Sequence, residues 1–208
     1  MQTKTQKSEL TTSAIIDAAI EIATTAGLFS VTIQSVADKL HLSKSGIFSR
    51  IGSKEALQIA VVDEYGKRFV AAVFLPAMQL PKGLQRLNAV VKAWFERLSV
   101  SQNMDFCLLE TAAFAITSDA EGTLRKHLVR SVNSWRAATG RTVNQCIELG
   151  QLHADTDAEV FLFELHSIIL GALYDSKFIG EPKTWPRAYA AYAQLVKRYT
   201  SGVLPARA

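Results

Sequence analysis

The sequence predicts an all-α protein of about nine helices, and three observations carry that expectation. Apolar residues recur at i, i+3, i+4 and i+7 along most of the 208 residues, and no segment shows the period-two alternation of a half-buried strand. Pro76, Pro81 and Gly83 fall between apolar stripes rather than inside them. Apolar residues make up 49% and charged residues 20% of the chain, enough to bury a core without a disulfide or metal staple.

The elements follow in order. Ile15, Ile16, Ala19, Ile20 and Ala23 mark a first helix over about 12–25, stopped by Gly27. The polar segment 1–8, with Lys4 and Lys7, is expected to be a flexible arm, either solvated or reaching a partner. Ile33, Val36, Ala37 and Leu40 define a two-turn helix that Thr32 caps. Ser43 caps a third helix, with Leu42 and Ile47 spaced as a hydrophobic staple. Gly52 ends it, and Ser53 caps a fourth helix carrying Leu57, Val61, Tyr65 and Phe69 as far as Pro76. Further stripes run through Leu87, Val91, Trp94 and Leu98, and through Phe106, Leu109, Ala113 and Ile116. Ser118 with Glu121 and Thr156 with Glu159 have capping-box spacing, which places helix starts near Asp119 and Asp157. The long helix between them has Gly140 as a bend and Gly150 as its C-cap. Two helices follow, over about 158–178 and 185–199.

Several function classes are disfavoured. Cys107 and Cys146 lie far apart without CxxC spacing, so neither a disulfide framework nor a zinc site is expected, and both read as buried hydrophobes. The most apolar stretch, 160–174, is broken by Glu164, His166 and Ser167 and is too short to span a bilayer. The N-terminus lacks the apolar core of a signal peptide, so a soluble, cytoplasmic protein with no membrane partner is expected. A helical metalloenzyme would need Glu-x-x-His pairs, and none occurs at His41, His127, His153 or His166. No nucleophile, base and orienting group are visible together, so no catalytic residue, metal or cofactor is expected.

The net charge of +4 permits nucleic-acid binding, but placement decides. Two short helices and a tight turn within 32–51 match a helix-turn-helix, whose second helix enters the major groove. From His41 to Lys54 there are three cations, Lys44, Arg50 and Lys54, and no acid. The run Ser43-Lys44-Ser45-Gly46-Ile47-Phe48-Ser49-Arg50-Ile51-Gly52-Ser53-Lys54-Glu55-Ala56-Leu57 resembles the recognition-helix signature of the TetR family of transcriptional regulators. The resemblance extends over about 15–57 through Ala18, Ala19, Gly27, Thr32, Val36, Ala37 and Leu42. Arg50 stands where the family often has His, and Ile51 where it usually has Phe.

The resemblance implies a three-helix DNA-binding domain over 1–54 and a helical ligand-binding and dimerisation domain over 55–208. DNA contact is assigned to Thr32, Ser43, Lys44, Ser45, Gly46, Phe48, Ser49, Arg50 and Lys54. Phe48 is read as a contact rather than core because Ile47 and Ile51 already fill the inward face of so short a helix. An effector pocket is assigned to Trp94, Phe106, Glu110, Thr111, Phe114, Trp135, Phe161 and His166, although each aromatic taken singly reads as core. A homodimer interface is assigned to Leu165, Ile169, Leu173, Tyr189, Tyr192 and Val196. The implied function is a repressor released from a palindromic double-stranded DNA operator by a small, largely apolar effector. A structural DNA-binding protein without an effector stands as the alternative.

Overall fold

The computed structural model describes residues 4–100, 112 and 122–200, with the backbone alone at 4–11 and 100. Every regular element in it is helical: α1 Lys4–Ala26, α2 Ile33–Leu40, α3 Lys44–Ile51, α4 Lys54–Phe69, α5 Leu75–Met78, α6 Leu84–Val100, α7 Thr123–Glu148, α8 Ala158–Leu173 and α9 Thr184–Thr200. A 3-10 turn at Leu28–Ser30 follows α1, and π-helical turns at Val70–Phe74 and Tyr174–Ile179 extend α4 and α8. The segment expected as an arm is therefore helical from Lys4. It contains neither Gly nor Pro, so a helix nucleated on the Ile15 to Ala23 stripe can propagate back through it.

Packing divides the chain into two compact units: the described residues of 1–69 with 101–132, and those of 70–100 with 133–208. The functional division expected at 54/55 is a different cut, since α4 packs with α1 and α3. The first unit buries Ile15, Ala19 and Ala23 of α1 against Val36 and Ala37 of α2, Ile47 of α3 and Leu57, Val61 and Val62 of α4. Alanines on α1 bring its backbone close to its neighbours, and the larger side chains of α4 fill the remaining space. Gln58, only 4% exposed, donates its two amide hydrogens to the carbonyls of Leu28 and Val31, each at 3.2 Å. That bridge gives Val31 O its partner and Leu28 O a second one beside Val31 N, and it ties the connection into α2 to α4. Glu55 Oε1 accepts from the backbone N–H of Leu124 at 3.2 Å and caps the start of α7. His127 Nε2 lies 2.6 Å from Asp63 Oδ1, a second tie between α4 and α7.

α4 stops as an α-helix at Phe69, short of the expected Pro76. Proline at 76 cannot donate to the carbonyl four residues earlier and its ring crowds that carbonyl, so the preceding turn widens into the π segment. The unit boundary falls at this turn.

The second unit is built around Leu87, Val91, Phe95 and Leu98 of α6, Phe161, Leu165 and Ile169 of α8, and Leu195 and Tyr199 of α9. The Phe95 ring meets Tyr189 edge-on at 5.0 Å, and the Tyr192 hydroxyl donates to Asn88 Oδ1 at 2.7 Å. Gly150, at φ 65, closes α7 as expected: Gln151 N donates to Cys146 O and Gly150 N to Ile147 O, a Schellman pair. Gly140 lies inside an unbroken helix, and a Cβ there would approach Leu162 Cδ1 to 3.1 Å, so it admits a close neighbour. The cap of α8 is Asp157, which accepts from Glu159 N and Val160 N, not the expected Thr156. A carboxylate one residue nearer the helix outcompetes the hydroxyl and also meets the positive end of the dipole. The capping box expected at Ser118 and Glu121 lies outside the described residues.

Candidate nucleic-acid interface and effector cluster

The turn between α2 and α3 is formed by His41, at φ 53 in the left-handed region. Leu42 N donates to Ala37 O and His41 N to Asp38 O, ending α2 and reversing the chain. The reversal leaves Leu42 44% exposed. It thereby sets an apolar side chain beside Ser43.

The caps of both short helices form as expected. Thr32 accepts from Ser35 N at 2.9 Å while Ser35 Oγ accepts from Thr32 N at 2.9 Å, a reciprocal box in which Ser replaces the usual Glu. Ser43 Oγ accepts from Gly46 N at 3.1 Å, and a Cβ at 46 would sit 3.0 Å from that oxygen, so glycine leaves the cap room. Ser45 Oγ lies 3.3 Å from Ser43 Oγ. Ile47 is fully buried, which turns Lys44, Ser45, Phe48, Ser49 and Arg50 to solvent. Phe48 is 57% exposed and does not join the core, whereas Ile51 packs against it. Arg50 Nη1 donates to Gly46 O at 2.9 Å and Ser49 Oγ to the same carbonyl at 3.1 Å, so both side chains lie along their own helix. Lys54 opens α4, whose first turn is capped by Ser53 through Ala56 N at 3.0 Å. Lys39, in the last turn of α2, is held by Glu21 at 2.7 Å. The face thus presents hydroxyls, an aromatic ring and three cations, with neither Lys44 nor Lys54 ion-paired among the described residues. Hydroxyls and cations at helix N-termini suit phosphate, and an exposed ring suits a base edge or sugar.

In the second unit, Trp94 of α6 meets Trp135 of α7 edge-on with ring centroids 4.6 Å apart. Trp135 in turn meets the His166 ring of α8 at 5.2 Å. Three of the expected effector residues therefore come together. Phe161 does not join them: it stacks on Tyr199 at 5.1 Å, because it lies about 140° around α8 from His166. Phe106, Glu110, Thr111 and Phe114 lie outside the described residues. His166 Nε2 is buried without a hydrogen bond, and burial together with nearby Arg136 lowers the proton affinity of the ring.

A model of the tetracyclin repressor-like, C-terminal domain matches residues 83–192, more than half of the chain. The chain belongs to the TetR family of transcriptional regulators. Solved structures share its fold. A TetR-family regulator from Cytophaga hutchinsonii superposes with a TM-score of 0.79 at 18% identity, covering 95% of this chain and 98% of the other. A TetR regulator from Chloroflexus aurantiacus gives 0.76 at 19% identity, over 95% and 98%. FadR from Bacillus subtilis, solved in complex with stearoyl-CoA, gives 0.72 at 16% identity, over 92% and 99%. No curated protein matches the sequence.

The residues expected at a homodimer interface are spread over α8 and α9, and Tyr189 among them is 36% exposed. Leu165, Ile169, Leu173 and Tyr192 are buried within the single chain, Tyr189 packs on Phe95, and Val196 is half-buried. α8 is apolar on more than one face, and its inner stripe is buried in the core of this unit, with Phe161 against Tyr199 of α9. The outer stripe carries Val160, Phe163 and, in the π turn, Tyr174 and Phe178, all exposed. Phe163, Ser167 and Ile168 line an open groove of about 760 Å³ against Ala191, Gln194 and Leu195 of α9, bridged by Arg198 and Glu164 at 2.7 Å. Cys146 is buried, its thiol donates to Thr142 O at 3.2 Å, and burial pushes its pKa up to about 11. That environment disfavours a thiolate. Cys107 lies outside the described residues. No described helix is long and apolar enough to cross a membrane.

Proposed function

We propose that this TetR-family chain is a ligand-responsive, non-enzymatic DNA-binding regulator. It acts in the cytoplasm as a homodimeric repressor that leaves a palindromic operator when a small, largely apolar effector binds. The observation that carries the reading is the acid-free face of α3, where Ser43, Lys44, Ser45, Phe48, Ser49 and Arg50 project together. Lys54 at the head of α4 adds a phosphate contact, and Thr32 and Gly46 act through the caps that place the backbone amides. DNA reading belongs to 1–54, and effector binding with dimerisation to 55–208.

Two features support the remaining parts. The groove beside Phe163 gives a second copy an apolar face with small residues for close approach, and a two-fold dimer of helix-turn-helix units requires an inverted repeat. The Trp94, Trp135 and His166 cluster offers an apolar ligand aromatic walls, and the solution of a neighbour of the same fold with stearoyl-CoA supports the reading. α7 carries Trp135, and its first turns are tied to α4 by Glu55 and Asp63, so effector binding is read out at the helix that begins with Lys54.

Capture of sheared genomic DNA by the purified chain, followed by sequencing, tests this function. Enrichment of a few loci sharing an inverted repeat is expected. Uniform recovery of the genome would instead indicate a structural DNA-binding protein, and no recovery would remove the DNA-binding reading.

A further inference from the structure

The contacts of Gly140 with Leu162 and of Trp135 with His166 run in opposite senses, so α7 and α8 are antiparallel along this seam. One turn back from Gly140 stands Arg136; one turn on from Leu162 stands His166. The two therefore face each other across the seam. Arg136 is half-buried and has no carboxylate partner among the described residues, and no acid occurs on α7 before Glu148. A half-buried cation without a counter-ion among the described residues, opposite a buried ring nitrogen that bonds to none of them, is costly for a fold to keep. Beside them, the Trp94 and Trp135 rings supply an apolar wall.

We propose that the effector is an amphiphilic organic anion, its acidic group bound by Arg136 and hydrogen-bonded at His166 Nε2, its apolar body packed on Trp135 and Trp94. This rests on the reading of the second unit as the effector domain and adds the charge of the ligand to it. The anion supplies the counter-charge and the Nε2 partner that no described residue supplies, and the guanidinium matches a planar or tetrahedral oxyanion with paired N–H groups. The lowered proton affinity of His166 in the free chain fits a site waiting for negative charge.

Two naphthalene probes of like shape test this, 8-anilinonaphthalene-1-sulfonate and its uncharged analogue N-phenyl-1-naphthylamine, with binding read by energy transfer from tryptophan. The sulfonate is expected to bind the wild type at least tenfold more tightly than Arg136→Gln, with Arg136→Lys intermediate. The uncharged probe should bind all three alike. Trp135→Phe should cut the transfer, which locates the probe, and unchanged melting of Arg136→Gln should exclude misfolding. Equal sulfonate affinity in wild type and Arg136→Gln, with the uncharged probe still bound beside Trp135, would overturn the anion contact and leave the effector domain standing. Failure of both probes to bind the wild type would sink the two readings together.

Discussion

The side-chain amide of Gln58 on α4 donates a 3.2 Å hydrogen bond to the carbonyl of Val31, two residues before α2 begins. Its second hydrogen reaches Leu28 O, so one buried side chain holds the connection that aims the helix-turn-helix. Gln58→Leu keeps the volume and strands Val31 O, while Leu28 O keeps only its bond from Val31 N. A loss of about 1–3 kcal/mol is expected in urea denaturation. Gln58→Glu should cost more, because a carboxylate cannot donate and repels both oxygens.

Gly83 is expected to tolerate no side chain. At φ 101 its backbone is strained for an L-residue, and a Cβ would lie 2.0 Å from Gln151 Oε1, the atom that accepts from Leu84 N at 2.7 Å and caps α6. Gly83→Ala should therefore lower stability by about 2–3 kcal/mol, combining left-handed strain with a lost cap. A melting temperature equal to wild type would contradict this.

The two sites were unequally legible in the sequence, for physical reasons. Thr32, Ser43 and Gly46 act through bonds three residues away, and Ile47 with Ile51 fixes the inward side of α3, so local spacing sufficed to turn Lys44, Ser45, Phe48 and Ser49 outward. α8 was harder: with apolar residues on several faces, periodicity could not say whether Leu165 or Phe163 faced out, and tertiary packing chose Leu165 for the core. Gln58 gave no signal, because its partners lie 27 and 30 residues away. Pro76 was read as the end of a helix, whereas its effect reaches back through the preceding π turn.

His41 occupies the left-handed region without being glycine. His41→Gly should raise stability by up to about 1 kcal/mol by removing the Cβ clash, while the β-branched His41→Val should lower it. Opposite signs in thermal melts are the expected result, and a stabilising valine would show that the turn is not held in that conformation.

Phe163, 67% exposed in the single chain, belongs to the proposed dimer face, unlike buried Leu165. Phe163→Glu is expected to give a folded monomer by sedimentation at micromolar concentration and to weaken operator binding by more than tenfold. A dimer that survives this change would move the interface elsewhere.

The claim that α3 and the head of α4 form the DNA-reading face is tested most directly by operator affinity measured against salt for the wild type and Lys54→Ala. A linear fall of log affinity with log salt is predicted for both, with the variant weaker and its slope shallower by about one unit for the lost phosphate contact. Identical affinities and slopes would remove Lys54 from the interface, and an affinity independent of salt would contradict the electrostatic basis of the whole face.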